Sequence, residues 1–400
     1  MKKSTKIITV IAAIMIVSGI LLTVIGYFSG AKLTLTSDEN GLKAFDSGKQ
    51  VSESFSLDSF TNIEGNLDDV DFEIIPSTEF KVEITRQEKQ IITHEIKNNT
   101  LYLNEKSPSG LNGGIIKFNI DLGFVSTPQS IVKLYVPKDT IFSAINLVSE
   151  YGNVQIDGIT SANFTIEAND GDMVLKGISS DVLTVTNSYG DIIAEDLKGE
   201  QTKFKTNDGD LSLKRLNTKT FNVSNDYGDS SLEDITSTDT IVSMSDGDIN
   251  LKNVDTTNLQ VSNEYGDMNG QSIAAQKLNI ALTDGNVTLN TVNTNNAIIN
   301  NQYGDILLSQ FESEALDVQN DSGNVTLEGT LLGTSRVYAD YGDIQLILKN
   351  KQSELNYKIR SEYGDIKINN EQFEGSVTQT ANSTNQLNIT AADGDVNLQF

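Results

Sequence analysis

Along most of this chain apolar and polar residues alternate, and from residue 152 onward a glycine resets the alternation every 19 residues. These are Gly152, Gly171, Gly190, Gly209, Gly228, Gly247, Gly266, Gly285, Gly304, Gly323 and Gly342, with looser copies at Gly364 and Gly394. Asp or Asn follows each one, as in Tyr189-Gly190-Asp191, so each triplet reads as a turn: glycine reaches backbone angles closed to other residues, and Asx side chains bond nearby amides. Counted from the glycine, apolar residues recur at −5 (Val185, Val223, Val261, Ile299, Val318), +2 (Ile192, Leu211, Ile249, Ile306), +4 (Leu213, Leu251, Leu308, Leu327) and near +7 (Leu197, Leu216, Ile235, Val254). A spacing of two on both sides of the turn is the strand period, so each unit predicts strand, turn, strand, turn. One unit cannot bury its apolar side alone. Stacked copies can, with neighbouring strands about 4.8 Å apart, which makes the expected fold an all-β, parallel β-solenoid (β-helix) of 19/38-residue repeats.

The second number comes from a rhythm laid over the first. The residue before the glycine runs Tyr151, Asp170, Tyr189, Asp208, Tyr227, Asp246, Tyr265, Asp284, Tyr303, Ser322, Tyr341, and position −3 alternates Asn187, Asn225, Asn263 and Asn301 with Ala168, Thr206, Met244 and Leu282. Either each coil holds 19 residues and alternate coils differ, or one coil holds 38 with two unlike corners. The second arrangement would align the Asn residues into a ladder and the Tyr rings into a stack. The first would give an array near 50 Å long, about 4.8 Å per coil.

Outside the repeat the pattern changes. Residues 1–6 form a basic tail, and residues 7–28 carry no charge and are dominated by Ile, Val, Leu and Ala. At about 1.5 Å per residue such a helix spans about 33 Å, enough for a bilayer core, so one N-terminal transmembrane helix is expected ahead of the solenoid, in preference to the alternative of a cleaved signal peptide, whose apolar region is usually shorter. Three lysines before it place the N-terminus in the cytoplasm and the remainder outside, a single-pass cell-membrane protein. Residues 29–50 read as a polar stalk or linker. Residues 51–145 alternate without the 19-residue clock and are expected to cap the regular repeats of 146–370, with 371–400 as a diverged C-terminal coil doing the same at the other end.

Composition narrows the function. The chain has 29 Lys and Arg against 55 Asp and Glu, and removing the three lysines of residues 1–30 leaves 26 against 55, or −29, for the rest. That acidity opposes nucleic acid and bare anionic lipid as partners. There is no Cys, which removes disulfides, thiolate metal sites and a thiol nucleophile. The single His94 sits in an alternating segment and is expected to be a strand residue facing water.

Two repeated features could carry chemistry. Asp-Gly-Asp at Asp170/Asp172, Asp208/Asp210 and Asp246/Asp248 would stack carboxylates, and like charges 4.8 Å apart repel by about 0.9 kcal/mol in water and about 3.5 at an effective dielectric of 20. Such a ladder favours cations, and calcium is the candidate. Asn153, Asn286 and Asn324 stand at equivalent places, however, and Asp there equally caps turn amides. The series Tyr189, Tyr227, Tyr265, Tyr303 and Tyr341 would form an aromatic strip for a glycan or protein ligand, or simply cover the turns. An active site needs one unlike cluster, whereas these acids repeat identically, so no catalytic residue is assigned and no resident cofactor is expected.

The serial Gly-Asp-aliphatic-x-aliphatic units, the segment Leu134-Tyr135-Val136-Pro137-Lys138-Asp139 and the N-terminal anchor resemble the bacterial β-strand-repeat family of adhesin-type proteins, a domain of unknown function that includes LiaG-like envelope proteins. The resemblance covers roughly residues 51–400. It implies an extracytoplasmic β-repeat protein linked to the cell envelope and its stress response, with no catalytic residue to carry over. The reading is a non-enzymatic, membrane-anchored binding, scaffolding or sensing module, its partners the cytoplasmic membrane through the helix and a cell-wall or envelope protein. The alternatives are a surface adhesin for host or cell-wall ligands and a calcium-loaded structural spacer.

Overall fold

The computed structural model describes residues 15–19, 35–38, 41–44, 49–106 and 129–400. The chain divides into two compact units, one of Met1–Glu53, Thr85–Ile92 and Glu105–Ser130, the other of Ser54–Ile84, Thr93–Asn104 and Ile131–Phe400. In the first, Leu35–Asp38 and Gly41–Ala44 pair as an antiparallel hairpin inside the stretch read as a patternless stalk. Residues 15–19 are helical, and the rest of the expected membrane segment lies outside the described residues. No helix among the described residues is long and apolar enough to cross a membrane.

The second unit is a parallel β-solenoid of about 11 turns with almost no helix, only the short turn Gln352–Glu354. Successive strands pair in register at an offset of 19: Ile249 lies beside Met268, Met268 beside Val287, and Val287 beside Ile306. A coil is therefore 19 residues, and the 38-residue period is an alternation between unlike neighbours. The continuous Asn ladder and the stack of adjacent Tyr rings, which a 38-residue coil would have made, do not form; in the −3 column Asn301 and Asn320 are the neighbouring pair.

Each coil has three straight runs rather than the two read from the sequence. In Ile249–Tyr265 the inward residues are Ile249, Leu251, Val254, Thr256, Leu259, Val261 and Asn263, so the alternation slips phase after +4 and again after +9. The first slip is a corner six residues after the glycine, where Asp196, Arg215, Asp234, Asn253, Ser272, Thr291 and Gln310 all hold φ between 50° and 59°. Glycine takes this left-handed corner at Gly158 and Gly177, while Gly329, six residues after Gly323, lies beside Phe311 after a register shift, so no glycine clock reveals the corner. The second slip follows a buried hydroxyl: Thr256, Thr294 and Ser313, at +9, donate to the carbonyls of Asn258, Asn296 and Ala315 at 3.2, 3.2 and 2.7 Å.

At the main corner glycine is a packing requirement. A Cβ on Gly247 would lie 2.2 Å from the carbonyl oxygen of Gly228, and φ there is 124°. Apolar columns at +2, +4, +7 and −5 fill the interior, with Val185, Ile192, Leu213 and Leu216 all at most 2% exposed. Burying such side chains contributes about 1.5–3 kcal/mol each.

Both ends of the stack depart from chain order. At the start, Ile63 lies between Ile145 and Leu101, and Phe72 between Val154 and Val132, so residues 62–77 form a coil inserted between the first regular coil and the outer strands Thr100–Lys106 and Ile131–Pro137. At the other end, Ile389 lies between Val337 and Ile359, so the last residues of the chain slip between the Gly342 coil and the Gly364 coil. Of residues 371–400, expected as a closing coil, 386–399 are internal to the stack, while Glu371–Gln379 turns antiparallel against Asn356–Ile368 at its end. His94, read as facing water, is half-buried with its ring centroid 4.4 Å from that of Phe55.

Candidate binding edge

The glycine corners stack into one edge, and three columns of side chains follow it. The first is the Asx column at +1. The amide of Asp191 donates to Oδ1 of Asp172 at 3.0 Å, that of Asp210 to Asp191 at 2.9 Å, and that of Asp229 to Asp210 at 2.8 Å. The relay passes through Asn286 and Asn324 without interruption, because an amide oxygen accepts the same bond. It ends by joining Asp395 to Asp343 and Asp365 to Asp395, following stacking order rather than chain order.

The second column, at −3, explains the two-coil period. The side-chain amide of Asn187 donates to the carbonyls of Gly171 and Gly190, both at 3.0 Å, and Asn225, Asn263 and Asn320 bridge their own corner glycine and the one before in the same way. One amide group carries two hydrogens and so serves two glycine carbonyls. One Asn thus serves two coils, and the coils between place Ala168, Thr206, Met244 or Leu282 there; beyond Leu282 the rhythm breaks, with Asn301 donating to Gly285 and its neighbour Asn320 to Gly304 and Gly323. The Oδ1 atoms of Asn187, Asn225, Asn263, Asn301 and Asn320 are buried without a partner, so the clamp costs some desolvation.

The third column, at −1, is the exposed one. Tyr189 lies beside Asp170 and Asp208, Tyr227 beside Asp208 and Asp246, Tyr265 beside Asp246 and Asp284, and Tyr303 beside Asp284 and Ser322. Each of these rings is more than half exposed, as is that of Tyr341 at 60%. In sequence the order after Tyr341 is Tyr363 and then Asp393, which would break the rhythm. The inserted C-terminal strand sets Asp393 beside Tyr341, with Tyr363 on its far side, and the alternation continues. Rings and carboxylates each recur about every 9.6 Å, two strand spacings.

This geometry bears on the aspartates. Asp170, Asp208 and Asp246 are separated from one another by tyrosine coils, and Asp172, Asp210 and Asp248 each have Oδ1 committed to an amide. Among the described residues no group of three or more His, Cys, Asp or Glu is arranged to hold a metal ion. On the opposite side of the first run, +5 alternates in sign: Lys176 pairs with Glu195 at 3.8 Å, and Glu233 with both Lys214 at 3.0 Å and Lys252 at 2.8 Å. Hydrogen bonds from these lysines hold the Glu233 carboxyl below its ordinary value.

Beside the tyrosine edge lies a groove that the sequence did not single out. It has a volume of about 590 Å³ and is lined by outward residues at −4, Ser224, Ser243, Ser262 and Ala281, and at −2, Asp226, Ser245, Glu264 and Thr283. Its signal in the sequence is only the small size of the −4 residues, which no apolar pattern marks.

Among solved structures, a candidate adhesin from Parabacteroides distasonis is 16% identical over 75% of this chain and 98% of its own, with a TM-score of 0.29. A candidate adhesin from Parabacteroides merdae is 15% identical over 75% of this chain and 97% of its own, TM-score 0.29. A candidate cell adhesion protein from Clostridium sporogenes is 11% identical over 88% of this chain and 99% of its own, TM-score 0.24. No curated protein matches the chain. The profile of the Toastrack domain, DUF4097, matches twice, over residues 60–241 and 237–399, and the two copies meet inside the continuous strand Ser230–Asp246. By that match, which takes in nearly all of the solenoid, the chain belongs to the Toastrack DUF4097 family.

Proposed function

We propose that this protein is a non-enzymatic module of the bacterial cell envelope, anchored in the cytoplasmic membrane by its N-terminal apolar segment and presenting its tyrosine edge outside as a binding and scaffolding surface. The observation that carries the reading is the column at −1: a large aromatic side chain, more than half exposed, at the same point of every second coil. A fold that needed only to close its turns would bury these rings. Repetition makes the mechanism additive, since an extended partner lying along the edge meets the same contact several times, and weak contacts sum when the partner spans them. The acids support binding rather than catalysis, because each sits in the same relay as its neighbour and none is singled out. With −29 outside the N-terminal segment, partners are neutral or basic.

The test is sedimentation of the full-length chain with purified envelopes. Wild type is retained, and a Tyr227→Ala, Tyr265→Ala, Tyr303→Ala triple variant with an unchanged circular-dichroism spectrum loses at least fivefold of that binding. Equal retention of the two would overturn the reading.

A further inference from the structure

We infer that the tyrosine column and the groove beside it bind a neutral, extended β-1,4-linked glycan laid parallel to the solenoid axis. The inference names the ligand class for the binding surface proposed above and rests on that proposal.

The groove runs across the coils of Gly228 to Gly323, five steps of about 4.8 Å or roughly 24 Å, long enough for several sugars. Small residues, Ser243, Ser262 and Ala281, stand at its central −4 positions, and its −2 wall leads into Tyr227, Asp246, Tyr265, Asp284 and Tyr303, with Ser322 at the last coil. Hydroxyls, amides and carboxylates line it together with Met244, Ala281 and Leu282, a mixed surface with donors and acceptors for sugar hydroxyls and apolar patches for sugar faces.

Periodicity selects among sugars. In a β-1,4-linked chain each pyranose is turned over relative to the one before, so the same face returns every second sugar, and the advance per sugar is close to the strand spacing of about 4.8 Å. A coil per sugar and a coil pair per repeat then keep one chain in phase with the edge. Every second sugar meets the apolar face of a tyrosine, Tyr227, Tyr265 or Tyr303, and the sugar between meets a carboxylate, Asp246 or Asp284, that accepts from its hydroxyls. An α-1,4-linked chain coils and loses this phase after one or two sugars. An acidic polysaccharide is repelled by the same carboxylates.

The experiment titrates the full chain in detergent with chitohexaose, cellohexaose, maltohexaose and hexagalacturonate, following tyrosine fluorescence and heat. The two β-linked hexamers should bind at least tenfold more tightly than the α-linked and acidic ones. Phase is tested by lengthening the stack. Duplicating the coil pair 239–276 keeps Tyr and Asp alternating and should leave chitohexaose affinity unchanged or higher. Duplicating the single coil 239–257 sets two Asp corners side by side while retaining every tyrosine, and should lower affinity at least fivefold. Both insertions preserve the offset of 19 between neighbours, and equal circular dichroism verifies that they fold. Absence of hexamer binding, equal binding of α- and β-linked chains, or equal affinity of the two duplications would each overturn the inference. Should the triple tyrosine variant lose envelope binding while wild type ignores both β-linked hexamers, the glycan assignment fails and the binding role stands.

Discussion

Asn225 donates its side-chain amide to the carbonyl of Gly209, one coil away, at 3.2 Å. The other hydrogen of that amide reaches the carbonyl of Gly228 in its own corner at 3.0 Å. Replacing Asn225 with Leu removes both donors from part-buried carbonyls, and an unmet buried acceptor costs about 1–3 kcal/mol. The expected result is a loss of about 2–4 kcal/mol in urea unfolding, against about 1 kcal/mol or less for Met244→Leu at the same position of the next coil, a volume-conserving exchange. Equal effects at the two sites would show that the clamp is not what sets the two-coil rhythm.

Two corners of the coil, the glycine corner and the one six residues on, respond oppositely to substitution. Gly247→Ala drives a methyl into the Gly228 carbonyl and should cost about 3 kcal/mol or more, because no flexible side chain can yield there. Thr291, a β-branched residue at φ 59°, sits in a region that costs ordinary residues about 1–2 kcal/mol. Thr291→Gly is therefore expected to stabilise by about 1 kcal/mol, measured as a higher urea midpoint. A destabilised Thr291→Gly would contradict the strain.

Deleting the end of the chain should harm the fold more than deleting from its middle. Without residues 386–400 the stack loses Leu387, Ile389, Ala391, Val396 and Leu398 from between two coils, leaving Val337 and Ile359 without their neighbour. Removal of the internal coil 239–257 merely brings equivalent strands together. Thermal melting should show a drop exceeding 10 °C and dye binding for the first, and a drop of a few degrees for the second.

Cations should act on the Asx column as an atmosphere rather than as ligands. Asp172, Asp191, Asp210 and Asp229 lie in neighbouring coils with one oxygen of each held by an amide. Screening at about 0.15 M ionic strength acts over about 8 Å, beyond the spacing of these charges only modestly, so stability rises gradually with salt. NaCl and CaCl₂ at equal ionic strength should raise the melting temperature equally, and EDTA should leave it unchanged. A calcium-specific rise at micromolar concentration would establish the calcium-loaded spacer instead.

Much of the site was legible because a strand shows its two faces in alternation. Val261 and Leu251 declare the interior, and Tyr265 and Asp267 beside Gly266 declare an exposed corner, from local pattern alone. The corner at Asn253 and Thr291 was not legible, since its backbone angle is imposed by the coils on either side and left no common residue type. The groove was equally silent: Ser243 and Ala281 matter through what lies one coil away.

By itself the sequence determined that the chain winds into equivalent coils, because an unslipped 19-residue interval of glycines admits one set of packed corners and one inward face. It could not choose between a coil of 19 and a coil of 38, for both satisfy the same spacing, and the choice falls to the pairing of Tyr265 with Asp284. Nor could it order the ends. That Asp393 stands between Tyr341 and Tyr363 follows from the last strand finding backbone partners on both of its edges inside the stack, where a terminal position would have left one edge unpaired.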